Sequence, residues 1–269
     1  MITVIGLGFV GLTTALGFSD KGFKVYGYDI DKEKINSIKN NKLPFFEDGL
    51  DKVLERNLNK NFKISDDIKT AVKNSKIIFL CVGTPTDEYG KTDLKHIKLA
   101  LDNILSNIKK EDKKILVIKS TIPPATLSKD LSSYIENNGY KINQDIYLVS
   151  NPEFLREGCA WDDFIHPDRI VIGLDDEYPK EFLNEIYKLF NTNIHYVSTN
   201  TSEFIKYLSN TFLATLISYS NEMSMIADRI GRIDIKTAFK IFQEDKRWFG
   251  SPANMQTYAY PGCGFGGYC

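Results

Sequence analysis

The chemistry open to this chain sits in a few short stretches. Asn151-Pro152-Glu153-Phe154-Leu155-Arg156-Glu157-Gly158 brings two carboxylates and a guanidinium together, enough for acid/base work or for gripping a polar substrate. A surface turn with its own ion pair accounts for the same residues. Lys206 and Asn210 stand four apart in a stretch of helical periodicity, so they share a face, with Asn221 on nearly the same side. A cation beside an amide suits developing negative charge, and a solvated helix face explains the pair equally well. Pro261-Gly262-Cys263-Gly264-Phe265-Gly266-Gly267-Tyr268-Cys269 ends in a cysteine behind closely spaced glycines. Such a loop can lie against a ligand and offer a thiol nucleophile; a plain glycine-rich loop is the other reading.

The strongest signal is at the start. Gly6-Leu7-Gly8-Phe9-Val10-Gly11 has the spacing G-x-G-x-x-G, follows the apolar run Ile2–Ile5 directly and opens a helical stretch. Gly6 permits a tight turn, Gly8 lets the backbone approach a pyrophosphate, and Gly11 lets helix and strand pack closely. A second strand ends at Asp29, whose carboxylate can accept hydrogen bonds from both hydroxyls of an adenosine ribose. It repels a 2′-phosphate, so NAD is favoured over NADP, although Lys32 and Lys34 nearby leave mixed use open. Val82-Gly83-Thr84-Pro85-Thr86 and Ser120-Thr121-Ile122-Pro123-Pro124 each end a later strand. Both set small hydroxyl residues at the edge where open parallel sheets bind ligands, and either alone would be a capped strand-to-helix turn.

Positioning these groups takes a parallel sheet with crossover helices, and the chain has that rhythm. The predicted strands are Ile2–Ile5, Lys24–Tyr28, Phe62–Ile64, Lys76–Val82, Ile115–Lys119, Ile146–Val149, Arg169–Ile172 and Ile194–Val197. The predicted helices are Val10–Lys21, Asp31–Asn40, Leu50–Leu58, Asp93–Ile108, Ala125–Asn137 and Pro179–Phe190. From Thr201 to about Arg232 the apolar side chains recur at helical spacing: Phe204, Leu208, Phe212, Leu216, Tyr219, Met223, Ile226 and Ile230. A helix of that length spans roughly 45 Å, long enough for a spine between domains or a dimer seam. A further helix covers Ile235–Phe242. The expected architecture is α/β: a Rossmann-type doubly wound sheet over 1–198, a long central helix over 199–232, and a small helical segment with a glycine loop over 233–269.

Composition narrows the function. A net charge of −1 in 269 residues gives no electrostatic case for nucleic acid or an anionic membrane. No run approaches the ~20 apolar residues of a membrane span, and the chain opens on a strand with no charged leader. Cys81, Cys159, Cys263 and Cys269 lack metal-ligand spacing, so no metal site is expected. Few, scattered thiols suit a reducing cytoplasm.

In combination these segments resemble the nucleotide-sugar dehydrogenases of the UDP-glucose/GDP-mannose dehydrogenase family. The resemblance is carried by Gly6–Gly11 with Asp29, residues 82–86, Ser120-Thr121, Asn151–Gly158 with Pro167–Gly173 behind it, Lys206-x-x-x-Asn210 leading to Asn221-Glu222, and Phe265-Gly266-Gly267-x-Cys269. It implies oxidation of the C6 alcohol of a nucleotide hexose to a carboxylate, using two NAD and one water. Cys269 matches the nucleophile that forms a thiohemiacetal and then a thioester. Glu153 matches the acid/base for hydrolysis, and Lys206 and Asn210 the groups that steady the oxyanion and the attacking water. Thr121 matches a cofactor and water contact, Glu157 a residue near the nicotinamide, and Lys34 a basic position beside the ribose. The implied cofactor contacts are Gly6, Leu7, Gly8, Phe9, Val10, Gly11, Asp29, Lys34, Val82, Gly83, Thr84, Pro85, Thr86, Ser120, Thr121 and Glu157. The implied substrate contacts run over Glu153, Phe154, Leu155, Arg156 and Glu157, with Lys206, Asn210, Tyr260, Phe265 and Gly266.

Tyr268, where N-acetylhexosamine-oxidising relatives carry His, favours UDP-glucose, with GDP-mannose second. The long helix is the family's dimer core, so a homodimer is expected. Family members continue past the Cys into a Pro-Lys-Asp segment and a second Rossmann-like domain. The sequence ends at Cys269, and Ser251–Tyr260 holds no Arg for substrate, so NAD binding without full turnover is expected. A two-electron β-hydroxyacid dehydrogenase and a non-catalytic NAD-binding or dimerising fragment are the competing readings.

Overall fold

The computed structural model describes residues 1–244, which form an eight-stranded sheet flanked by helices. The elements run β1 Ile2–Ile5, α1 Phe9–Asp20, β2 Val25–Tyr28, α2 Lys32–Lys39, α3 Leu50–Asn57, β3 Phe62–Ile64, α4 Ile68–Lys73, β4 Ile77–Leu80 and α5 Lys95–Leu105. They continue β5 Lys114–Ile118, α6 Ser132–Asn137, β6 Ile146–Ser150, α7 Ala160–Ile165, β7 Ile170–Leu174, α8 Tyr178–Tyr187, β8 Ile194–Val197, α9 Thr199–Ile230 and α10 Ile235–Phe242. Each predicted strand forms, within two residues at either end.

Spatial order is β3-β2-β1-β4-β5-β6-β7-β8, so the direction of winding reverses between β1 and β4. Such a switch point opens a crevice at the carboxyl ends of the two strands. β1, β4, β5 and β6 are buried throughout, as expected of strands covered on both faces. Ile2, Val4, Phe79, Ile115 and Val117 meet α1 through Leu12, Leu16 and Phe18 on one face. Ile78, Leu80, Leu116 and Ile118 meet α5 through Ile97, Leu101 and Ile104 on the other. Alternate strand residues point to opposite faces, so each run builds two cores.

Three details depart from the sequence reading, and a fourth adds to it. β7 is antiparallel to β6, pairing Val149 with Leu174 and Ser150 with Gly173. The connection from β6 holds only the six-residue α7, too little for a full crossover, so the chain enters β7 from the carboxyl side. β8 then pairs parallel with β7, which returns the chain beside the end of β6 where α9 begins. Second, α4 and α7 were missed because six residues are too few to show a period. Asp67 caps α4 through the Lys69 and Thr70 N–H groups, and Glu47 accepts the Trp161 N–H in α7. Third, Ala125–Asn137 is no uniform helix: Thr126–Leu131 forms a wide π-type turn, entered by Ala125 at φ +69°, and α6 follows. Fourth, the chain divides at Lys206/Tyr207, inside α9, because the first turns of α9 belong with the sheet.

α9 keeps Phe204, Leu208, Phe212, Tyr219, Ile226 and Ile230 exposed. Among the described residues, no helix is long and apolar enough to cross a membrane.

Candidate active site

The glycine loop has the geometry its spacing predicts. Gly6 turns at φ +88°, and an added Cβ there would stand 2.8 Å from the Cys81 carbonyl oxygen. At Gly11 an added Cβ would stand 1.7 Å from the Gly6 carbonyl oxygen, so only glycine lets α1 start this close to β1. At Gly8 the same test meets nothing within 4 Å. The first turn of α1 has no side-chain cap, so its N–H groups and positive dipole are left for an anion. Bare backbone, open space and an uncapped helix start fit a pyrophosphate.

Asp29 closes the pocket wall at the end of β2. Its Oδ2 accepts the Leu7 N–H at 2.6 Å and Lys34 Nζ at 2.9 Å, and its Oδ1 accepts the Asp31 N–H at 2.9 Å. A carboxylate offers about four acceptor positions, so room remains for a ribose hydroxyl. Lys34, on a long stem, is the partner able to give way. Phe9 packs edge-on to Phe45 at 5.5 Å between ring centroids.

Beyond β4 and β5, the hydroxyl residues tie the two loops together. Thr84 Oγ1 donates to the Thr121 carbonyl at 2.8 Å, and Ser120 Oγ donates to the Val82 carbonyl at 2.6 Å. Gly83 gives its carbonyl to His96 Nδ1 at 3.2 Å. Pro85 accepts the Asp93 N–H at 2.8 Å, and Thr86 bridges to Thr92. The loops are therefore cross-linked before any ligand arrives. His96, which falls in no motif, is part of that cross-linking.

The third strand end holds the chemistry. Glu153 Oε1 and Lys206 Nζ are 2.9 Å apart, and both side chains are at least nine-tenths buried. Glu153 Oε2 accepts the Leu155 N–H at 2.7 Å. The Phe154 ring lies under Lys206 Nζ at 5.5 Å and under the Arg169 guanidinium at 4.3 Å. The pair forms because Ser202, one turn before Lys206, meets Ser150: the two hydroxyls are 2.9 Å apart. Gly173 admits this contact, since an added Cβ would come within 2.5 Å of Ser202 Cβ.

Arg156 has a partner of its own. It is half exposed and grips Asp163 with its side chain and its backbone N–H. Glu157 is exposed. Asn210 lies a turn beyond Lys206, half-buried, in the second unit. Cys269, Tyr260, Phe265 and Gly266 lie outside the described residues.

Three groups here, Lys119 and Asn151 buried and Cys81 partly so, were given no role from the sequence. Lys119, the last residue before Ser120, donates to Asn151 Oδ1 at 3.2 Å and to the Asn151 carbonyl at 3.4 Å. Burial lowers its pKa, against the pull of Cys81 and Glu153. Asn151 also accepts the Tyr187 hydroxyl and donates to the Val171 carbonyl at 2.8 Å. Burial pushes the pKa of the Cys81 thiol up to about 12, against the pull of Lys119. An ionisable residue at the inner end of an apolar strand was the available signal for Lys119. Asn151 was marked only as the first residue of its motif, and nothing local marks Cys81.

The strand order, the glycine loop and Asp29 define a Rossmann-type dinucleotide-binding domain. Residues 1–191 match the NAD-binding domain of the UDP-glucose/GDP-mannose dehydrogenase family, and residues 200–269 match its central domain. An uncharacterized protein of Methanocaldococcus jannaschii is 41% identical over the whole chain, which covers 29% of that protein. UDP-glucose 6-dehydrogenase of Rickettsia felis is 39% identical over the whole chain, which covers 58% of it. Among solved structures, a UDP-glucose dehydrogenase of Pyrobaculum islandicum superposes over the whole chain and 60% of its own, at TM-score 0.90 and 34% identity. A GDP-mannose dehydrogenase of Pseudomonas aeruginosa matches 91% of this chain and 57% of its own, at TM-score 0.86 and 32% identity. The chain belongs to the UDP-glucose/GDP-mannose dehydrogenase family, and its cofactor is NAD. It spans less than two thirds of the length of these relatives.

Proposed function

We propose that the protein oxidises the C6 hydroxyl of a nucleotide hexose to the carboxylate in two NAD-linked steps, with UDP-glucose as substrate. The observation that carries this reading is the buried Glu153–Lys206 pair, standing at 2.9 Å within a dinucleotide-binding unit. An acid/base group and a cation held together, away from water, suit a reaction that develops negative charge on oxygen. Each oxidation passes a hydride to NAD.

The chain's own groups divide the rest. The glycine loop holds the pyrophosphate and Asp29 the ribose. Cys269 Sγ adds to the C6 aldehyde, and loss of a hydride from that thiohemiacetal leaves a thioester. Glu153 takes a proton from the water that attacks the thioester, while Lys206 and Asn210 donate to the oxyanion. The Cys269 thiolate then leaves with the carboxylate formed. In sum, one alcohol, one water and two NAD give one carboxylate, two NADH and three protons. Thr121 and Glu157 line the cofactor side, and Phe154 and Leu155 the sugar side.

Counting NADH per UDP-glucose consumed, in a protein of the relatives' full length, tests this. Two NADH per sugar are expected. One would favour a β-hydroxyacid type of oxidation, and NAD uptake with no turnover would favour a non-catalytic binding role. Preference for GDP-mannose over UDP-glucose would transfer the reading to the mannose enzyme, whose solved relative is nearly as similar in fold. The exposed apolar stripe of α9 supports a homodimer built on that helix.

A further inference from the structure

Glu203 stands one turn before Lys206 on α9 and is 2% exposed. Its Oε1 accepts the Leu127 N–H at 2.9 Å, and its Oε2 is buried with no hydrogen-bond partner. Burial pushes its pKa up to about 7 against the backbone N–H groups of Leu127, Ala125 and Thr126, and Asp175 pushes it further in the same direction. A carboxylate this deep is costly unless its acceptors are used, and of the nearby amides the Leu127 N–H engages one of its two oxygens.

Those amides belong to the wide turn that follows Ser120 and Thr121. Within the turn, Ala125 is held at φ +69°, and Thr126 donates to the Pro123 carbonyl through its N–H at 3.2 Å and its hydroxyl at 2.6 Å. Ser128 adds a hydrogen bond to Asn200 on α9 at 2.8 Å. The turn therefore hangs on α9 at two points, one of them a buried carboxylate.

We propose that Glu203 is a positioning residue that ties the loop carrying Thr121 to the turn of α9 carrying Lys206. It keeps the cofactor side and the acid/base side of the site at a fixed separation, and it rests on the reading that Thr121 contacts the cofactor. The groups facing Glu203 are few. Asp175, held by Thr199, acts from the end of β7. The wide turn presents backbone N–H groups, and Lys206 on the same helix is engaged by Glu153.

NAD binding to the whole chain, followed by titration calorimetry at about pH 6 and about pH 8, tests the assignment. Protonation leaves Glu203 a poorer acceptor, so the unmodified chain should bind about threefold more weakly at the lower pH. Glu203→Gln, neutral throughout, should hold that weaker value at both. Glu203→Ala, which leaves the Leu127 N–H unpaired, should bind about tenfold more weakly. A residue that only supports the fold would lower the melting temperature and leave affinity and pH profile alone. Equal affinities within about twofold, or parallel pH profiles for the unmodified chain and Glu203→Gln, overturn the assignment and leave the cofactor reading standing. If Glu203→Ala does not fold, the comparison with Glu203→Gln decides alone. No NAD uptake by the unmodified chain overturns both.

Discussion

At the residue scale, two glycines of one motif do different work, and substitution separates them. Gly11→Ala forces a Cβ into the Gly6 carbonyl and should cost several kcal/mol, about 3 or more, as strained overpacking does. Gly8→Val meets open space, so the melting temperature should hold while NAD binding is lost. Thermal melts paired with calorimetry check both. Lys206→Met strands a buried carboxylate, although Glu153 keeps the Leu155 N–H. A loss of about 3–5 kcal/mol is expected in chemical denaturation, partly recovered by adding Glu153→Gln. Arg156 shows what residue type leaves unsaid: its pairing with Asp163 is not readable from the motif.

At the element scale, the reversal at β7 decides where the chemistry goes. β7 overlaps β6 only at its own last residues, so it finishes level with the carboxyl end of β6. The antiparallel strand, followed by β8, returns the chain there, and Gly173 lets Ser202 dock. Gly173→Ala should therefore cost about 1–3 kcal/mol and, more tellingly, raise hydrogen exchange in the first turns of α9 ahead of the central strands. Unchanged exchange at residues 199–206 would count against this role. The wide turn at Thr126–Leu131 is a similar case, since its departure from a plain helix brings the Leu127 N–H to Glu203.

At the scale of the whole molecule, burial of charge sets the response to pH. The folded pKa of Glu203, about 7, lies above its ordinary value of 4.5. Between those values the folded state holds a proton that the unfolded chain has lost, so this group makes stability fall as pH rises through the window. Glu203→Gln removes the slope. The stability difference between Glu203→Gln and the unmodified chain should therefore grow in favour of the variant from about pH 4.5 to about pH 7. Association is the second property at this scale. If α9 joins two copies, Leu208→Glu with Phe212→Glu should give monomers in sedimentation equilibrium, where the unmodified chain gives dimers.

Most of the sheet was legible because each strand is a short apolar run and each glycine of the first loop answers a local steric demand. Asp29 could be placed from its distance to that loop, since the strand between them has a fixed reach. Period and spacing, however, carry no information on strand direction, so the turn at β7 and the docking of α9 were out of reach. The partners of Arg156, Lys119 and Glu203 are equally invisible in order of sequence. Which buried charge meets which acceptor is settled only when distant segments share one low-dielectric interior, and there Glu153 found Lys206 and Glu203 took the N–H of Leu127, more than seventy residues away.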